Sequence, residues 1–229
     1  MFLLCRIKAY PWCGPSQPPI IPEGELIPDS EEMIKYIRSM GVINSLAFSS
    51  DGKLLSTASG NVIRLWNLSS GKEIALMRGG RLLSVTSLAF SPNNEIIVSG
   101  ASDQSVRLWD VSTYKEIIKI EEKKQVNAVA FSPDGRMIAC GTGNSFQSDG
   151  NNVQLYEVPS GKKIRSMVGH SSGVQSVAFS SDAKMLISAS ASYRSLTDTL
   201  ADNSIRLWNL ETGKEISKIN SGPVMLPAA

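Results

Sequence analysis

The triplet Ala-Phe-Ser recurs at Phe48, Phe90, Phe131 and Phe179, at intervals of 42, 41 and 48 residues. A second landmark follows each copy: Ile-Arg-Leu-Trp ending at Trp66 and Trp208, Val-Arg-Leu-Trp ending at Trp109, and Val-Gln-Leu-Tyr ending at Tyr156. The interval between the two landmarks varies, at 18, 19, 25 and 29 residues. The step from the second landmark to Gly71, Tyr114, Gly161 or Gly213 is always five. The variable interval therefore contains a loop. A repeat of this length is one supersecondary unit that cannot bury its apolar surface alone, so the units must pack on one another.

Each copy contains four short β-type runs bounded by turn residues. In the second copy these are 85–90, 95–100, 105–109 and 115–120, all too short for helices. The first turn reads Ser-Asp-Gly-Lys at 50–53, Pro-Asn-Asn-Glu at 92–95, Pro-Asp-Gly-Arg at 133–136 and Ser-Asp-Ala-Lys at 181–184. Asp-Gly and Asn-Asn tolerate the positive φ of a tight hairpin, which makes the first two strands antiparallel. In the first strand both faces are apolar: Ile43, Val85, Val126 and Val174 lie with small Ala47, Ala89, Ala130 and Ala178, and Leu46, Leu88, Val129 and Val177 lie with the Phe. A strand apolar on both faces is expected to be buried on both sides. Radial stacking of four-stranded sheets provides that, and this is a β-propeller.

The residues 132–136 (Ser-Pro-Asp-Gly-Arg), Gly169-His170 and Arg107-Leu108-Trp109-Asp110, together with the period, resemble the WD-repeat β-propellers. The resemblance covers 32–219, with blades at about 42–77, 84–120, 125–167 and 173–219. In that family a hydrogen-bonded chain links the Trp, a Ser or Thr of the second strand, a His before the first strand and an Asp before the third. Carried over by position, the fourth copy has the whole tetrad: His170, Ser188, Asp202 and Trp208. The second has Ser99, Asp103 and Trp109, with Arg81 in place of His. The first has Thr57 and Trp66, with Ser39 and Gly60. The third has Cys140, Tyr156, Glu122 and Gly150. The incomplete sets lead us to expect weaker blades.

The fold class expected is all-β: a β-propeller of four recognisable four-stranded blades, either an open arc or a small closed ring with a partial extra blade. Residues 32–37 align with a fourth strand and 224–226 with the start of a first one, so 220–229 is a tail or the beginning of a further strand. Residues 1–31, which include Pro11, Pro15, Pro18, Pro19, Pro22 and Pro28, fall outside the repeat and read as an irregular arm.

The chain has 229 residues, 42% hydrophobic and 19% charged, with 23 Lys and Arg against 21 Asp and Glu. That composition excludes a disordered chain, and the near balance of charge offers no basic stripe for nucleic acid. Cys5, Cys13 and Cys140 are too few for a disulfide framework and lack zinc-site spacing, which fits a reducing, cytoplasmic setting. The apolar run at residues 2–5 is too short for a signal core or a membrane span. Trp12-Cys13-Gly14-Pro15 superficially resembles a thiol redox motif, but the prolines that follow oppose the helix such a site needs. His170 is the one histidine in the sequence. Its Gly-His context assigns it to the structural chain and not to a metal or to catalysis, and no cofactor is expected.

Two inserts join second and third strands. One carries Asn144, Phe146, Gln147 and Asp149; the other carries Tyr193, Arg194, Leu196 and Asp198. Loops at equivalent places in adjacent blades emerge on one rim, and aromatic side chains mixed with polar ones suit a contact patch. The function expected is a non-catalytic scaffold that binds proteins or peptides through its loop rims, with self-association through exposed blade faces as a further expectation. The alternative is a truncated fragment of a larger propeller that needs partner blades to fold or function.

Overall fold

The computed structural model describes residues 42–78, 84–144, 152–191 and 202–220. Within them lie sixteen strands and no helix: β1 Ile43–Phe48, β2 Leu54–Ser59, β3 Val62–Asn67, β4 Lys72–Arg78, β5 Val85–Phe90, β6 Ile96–Ala101, β7 Ser105–Asp110, β8 Glu116–Glu121, β9 Val126–Phe131, β10 Met137–Thr142, β11 Asn152–Glu157, β12 Lys163–Val168, β13 Val174–Phe179, β14 Met185–Ser190, β15 Ser204–Asn209 and β16 Glu215–Asn220. They form four antiparallel sheets, each with its strands in sequence order. The proline-rich segment, the 32–37 run and residues 224–226 lie outside the described residues.

The first hairpin turn explains the serine of Ala-Phe-Ser. Ser49 Oγ donates to Asp51 Oδ1 (2.7 Å) and accepts the Leu54 N–H (2.8 Å). Ser91 with Asn93, Ser132 with Asp134 and Ser180 with Asp182 repeat the arrangement. One hydroxyl thus satisfies both ends of the turn, and the Asp or Asn holds the corner. The positive-φ position three residues after each turn serine (Ser49, Ser91, Ser132 and Ser180) is Gly52, Asn94, Gly135 or Ala183. Ala183 is the one of the four with neither a glycine's freedom nor an amide side chain.

The core lies between sheets. Ala58, Ile63, Leu65 and Met77 of the first sheet pack on Val85, Leu88, Ile97 and Trp109 of the second. Val98, Val106, Leu108 and Ile120 pack on Val126, Val129, Ile138 and Tyr156 of the third. Val153, Leu155 and Met167 pack on Val174, Val177, Leu186 and Trp208 of the fourth. Each sheet therefore has a trailing face that receives the leading face of the next. The sheets approach closely at Gly100 and Gly141, where an added Cβ would lie 2.6 Å from Cγ1 of Val126 and of Val174.

The stack is open. Inner strands pack β1 on β5, β5 on β9 and β9 on β13, and among the described residues no comparable packing returns from β13 to β1. The expectation that every first strand is buried on both sides therefore fails for β1. Leu46 is 53% exposed, whereas Leu88, Val129 and Val177 at the same position are 6%, 7% and 8% exposed. A sheet at the end of an arc has no neighbour to cover its face.

Candidate functional site

Two strands, β14 and β15, and the connections ahead of β13 and β15 bring the fourth-sheet tetrad together. Trp208 Nε1–H donates to Ser188 Oγ (2.8 Å), Ser188 Oγ lies 2.8 Å from His170 Nε2, and His170 Nδ1 lies 2.9 Å from Asp202 Oδ2. The Ser188 oxygen accepts from tryptophan, so its proton is available to Nε2. Nδ1 then carries the ring proton and donates to Asp202, and no group in the chain is left unpaired. Asp202 also accepts the Ser171 N–H (2.9 Å) and the Ser204 hydroxyl (2.5 Å). Burial pushes the Asp202 carboxyl up, but the hydrogen bonds from His170, Ser204 and Ser171 outweigh it and hold the group below the usual carboxylate range. All four side chains are buried. The chain pins the strand β15 to the loop ahead of β13, and no substrate can reach it.

The other sheets keep parts of this arrangement. Trp109 Nε1–H donates to Ser99 Oγ (2.9 Å) and Trp66 Nε1–H to Thr57 Oγ1 (3.0 Å). Asp103 turns instead to Arg107 (2.8 Å), which also pairs with Glu116 (3.1 Å). The arginine ahead of Leu-Trp recurs in the same role, as Arg64 with Glu73 at 2.8 Å and Arg206 with Glu215 at 2.6 Å. Arg81, Ser39 and Gly150 lie outside the described residues.

The third sheet departs from the expectation of a merely incomplete set. Tyr156 donates its hydroxyl directly to Glu122, which stands where the fourth repeat has His170, and the Cys140 thiol approaches the same carboxylate at 3.7 Å. A phenol reaches further than an indole N–H, so the serine relay is not needed. Burial, and then the Glu122 carboxylate, raise the Tyr156 pKa and keep the hydroxyl protonated as a donor. Gln154 replaces the paired arginine and accepts from Ser166.

Along the inner strands the arc has two differing mouths. At one end Phe48, Phe90, Phe131 and Phe179, with Pro92 and Pro133, line an apolar groove of about 380 Å³. At the other, Asn44, Ser84, Thr86, Asn127 and Gln175 line a polar groove of about 310 Å³. The first insert begins at the polar end, where Asn127 Nδ2 donates to Gly143 O (2.9 Å) and a Cβ on Gly173 would lie 3.2 Å from the Asn144 backbone. Ala191, at the start of the second insert, donates its N–H to Gly173 O (3.3 Å). Asn144 is described. Phe146, Gln147, Asp149, Tyr193, Arg194, Leu196 and Asp198 lie outside the described residues. Among the described residues no three His, Cys, Asp or Glu side chains converge to hold a metal ion.

Sequence reasoning did not single out the residues that join the sheets. Each inner strand carries a bulge at its second residue, at Asn44, Thr86, Asn127 and Gln175. A bulge re-aims its side chain, here towards the next sheet. Asn44 Nδ2 donates to Val85 O (3.1 Å), Thr86 Oγ1 to Val126 O (2.5 Å) and Asn127 Nδ2 to Val174 O (3.1 Å). These residues are Asn, Thr, Asn and Gln, and the signal that could have marked them is their constant place four residues before each Ala-Phe-Ser phenylalanine.

A family model for the NWD2 C-terminal β-propeller matches residues 37–224. The chain belongs to the WD-repeat β-propeller family. Relatives in that family include the serine-threonine kinase receptor-associated protein of Gallus gallus, 24% identical over 187 residues that make up 82% of this chain and 48% of that protein. The WD repeat-containing protein SL1-17 of Schistosoma mansoni is 29% identical over 153 residues, 66% of this chain and 48% of that protein. This chain spans about half the length of these two curated relatives. Among solved structures, the Kuenenia stuttgartiensis hydrazine synthase shares the fold, with a TM-score of 0.67 at 17% identity over 77% of this chain and 48% of that one.

Proposed function

We propose that this WD-repeat arc is a non-catalytic scaffold that holds protein or peptide partners at its polar rim, in the cytoplasm and without a cofactor. One observation carries the reading: both inserts begin at the same mouth as Asn44, Thr86, Asn127 and Gln175. Three of those side chains already spend donors on the neighbouring sheet. They make a rigid floor, and recognition falls to the inserts that begin beside it. A relative whose name is receptor-associated supports a binding role. Selecting a displayed peptide library on the immobilised chain tests this. Enriched peptides are expected to lose at least about tenfold in affinity, or ~1.4 kcal/mol, when both inserts are replaced by the short Ser102–Ser105 connection. Unchanged binding would overturn the assignment to the rim.

A second reading, that the chain is part of a larger propeller, is supported by the open end faces. A gradual thermal melt of the isolated chain would favour it, and a single cooperative transition would count against it.

A further inference from the structure

The arc carries, at its two ends, the two halves of a junction that it builds three times internally. On the leading side of each of sheets two to four, the fourth residue of the inner strand is buried against the sheet before it, as Leu88, Val129 and Val177 are; Leu46 is the uncovered equivalent, beside exposed Phe48. The outer part of that first-sheet face, Leu55 and Trp66, is buried, so the open part is the inner-strand side. On the trailing side, Ile187 is 43% exposed where Val98 and Ala139 are fully buried, and Ile205 is 38% exposed where Ile63, Val106 and Val153 are.

The polar part of the junction is also present and unused. Where two sheets meet, the bulged residue donates to the first carbonyl of the next inner strand. The serine after it, in sheets one and two, accepts the N–H of that strand's fourth residue: Leu88 N–H to Ser45 Oγ at 3.0 Å and Val129 N–H to Ser87 Oγ at 3.1 Å. The fourth sheet has the same pair, Gln175 and Ser176. Gln175 Nε2 folds back to Gly173 O at 3.3 Å, and exposed Ser176 has no side-chain partner among the described residues. The groups that match them on β1 are the Ile43 carbonyl and the Leu46 N–H.

We propose that two copies of this chain join end to end, the fourth sheet of each on the first sheet of the other, and close an eight-sheet ring. The new junction continues the three established ones, with Gln175 and Ser176 taking the Ile43 carbonyl and Leu46 N–H, and Ile187 and Ile205 covering Leu46 and Phe48. A head-to-tail contact either closes or polymerises. Closure with two copies forms two identical junctions at once, so each strengthens the other through effective concentration. This goes beyond the rim reading and does not depend on it, since the groups named at the junction lie on β1, β13, β14 and β15.

Sedimentation equilibrium of the full chain at about 10 μM, a concentration at which a stable interface is occupied, is expected to give twice the 24.7 kDa chain mass. Leu46→Glu and Ile187→Glu are each expected to give monomers with an unchanged far-ultraviolet spectrum, because each places a charge in both junctions. An equimolar mixture of the two variants is expected to regain a dimer, held by the one junction free of substitutions. If either glutamate unfolds the chain, Phe48→Glu and Ser176→Ala take their places, the latter raising the dimer dissociation constant about fivefold. A monomeric wild type, a ladder of higher masses, or a dimer lost in only one of the two variants would each overturn the proposal.

Discussion

The Tyr156 hydroxyl donates to the Glu122 carboxylate across 34 residues of sequence, and the pair replaces a tryptophan–serine–histidine relay at the same place in the fold. Tyr156→Phe leaves Glu122 without this donor, and Glu122→Gln keeps an acceptor while removing the charge. Phe is expected to cost about 1–2 kcal/mol and Gln less. The double variant is expected to cost less than the sum, with a coupling of about 1 kcal/mol measured by urea unfolding.

Among the described residues Ser188 serves two partners and Ser99 one. Ser188→Ala strands both the Trp208 N–H and His170 Nε2, whereas Ser99→Ala strands only the Trp109 N–H. At about 1–3 kcal/mol for each buried group left unpaired, the first variant is expected to lose roughly twice the stability of the second. Equal losses in denaturant melts would contradict the relay through Ser188.

Acid is expected to weaken the fourth sheet through Asp202. Its folded pKa lies below the usual carboxylate range. The stability it contributes is therefore present above about pH 4 and is lost as pH falls through the folded value. Asp202→Asn is expected to be less stable at neutral pH and to show a flatter fall below about pH 4. Thermal melts from pH 7 downwards would check this, and parallel curves for the two proteins would refute it.

Gly100 is kept small by its neighbour. Gly100→Ala puts a Cβ 2.6 Å from Val126 Cγ1 and is expected to cost about 1–3 kcal/mol. Val126→Ala in the same chain is expected to recover part of that loss. At Gly52 an alanine meets nothing within 4 Å, and its cost there comes from the positive φ alone.

Ala183 sits at φ 55°, where its counterparts are glycine or asparagine. Ala183→Gly is expected to raise stability by about 0.5–1 kcal/mol, as relief of the left-handed backbone exceeds the added freedom of the unfolded chain. A lower midpoint in urea would contradict that account.

The repeat, the hairpin corners and the tryptophan–serine contacts were legible in the sequence because they are local. A turn needs its Asp-Gly within four residues, and Trp109 meets Ser99 on the neighbouring strand of one hairpin. The tetrad residues could be placed by resemblance, since their offsets recur. The insert residues beyond Asn144 lie outside the described structure, so their role still rests on the sequence and the rim at which the loops begin.

Other relationships came from the packing of one sheet on another. Glu122 stood at the histidine position in the sequence, but its bond to the Tyr156 hydroxyl, within the third repeat, came only from the structure. Gly100 and Gly141 read as strand glycines until Val126 and Val174 arrive opposite. Asn44, Thr86 and Asn127 are not one residue type, and it is the bulge that aims each at the next sheet that makes them equivalent. The repeat pattern determined what each sheet would be. Whether the outermost faces are covered depended on how many neighbours stand beside them, and Leu46 and Ile187 became exposed because burial belongs to the assembly of sheets and not to any one of them.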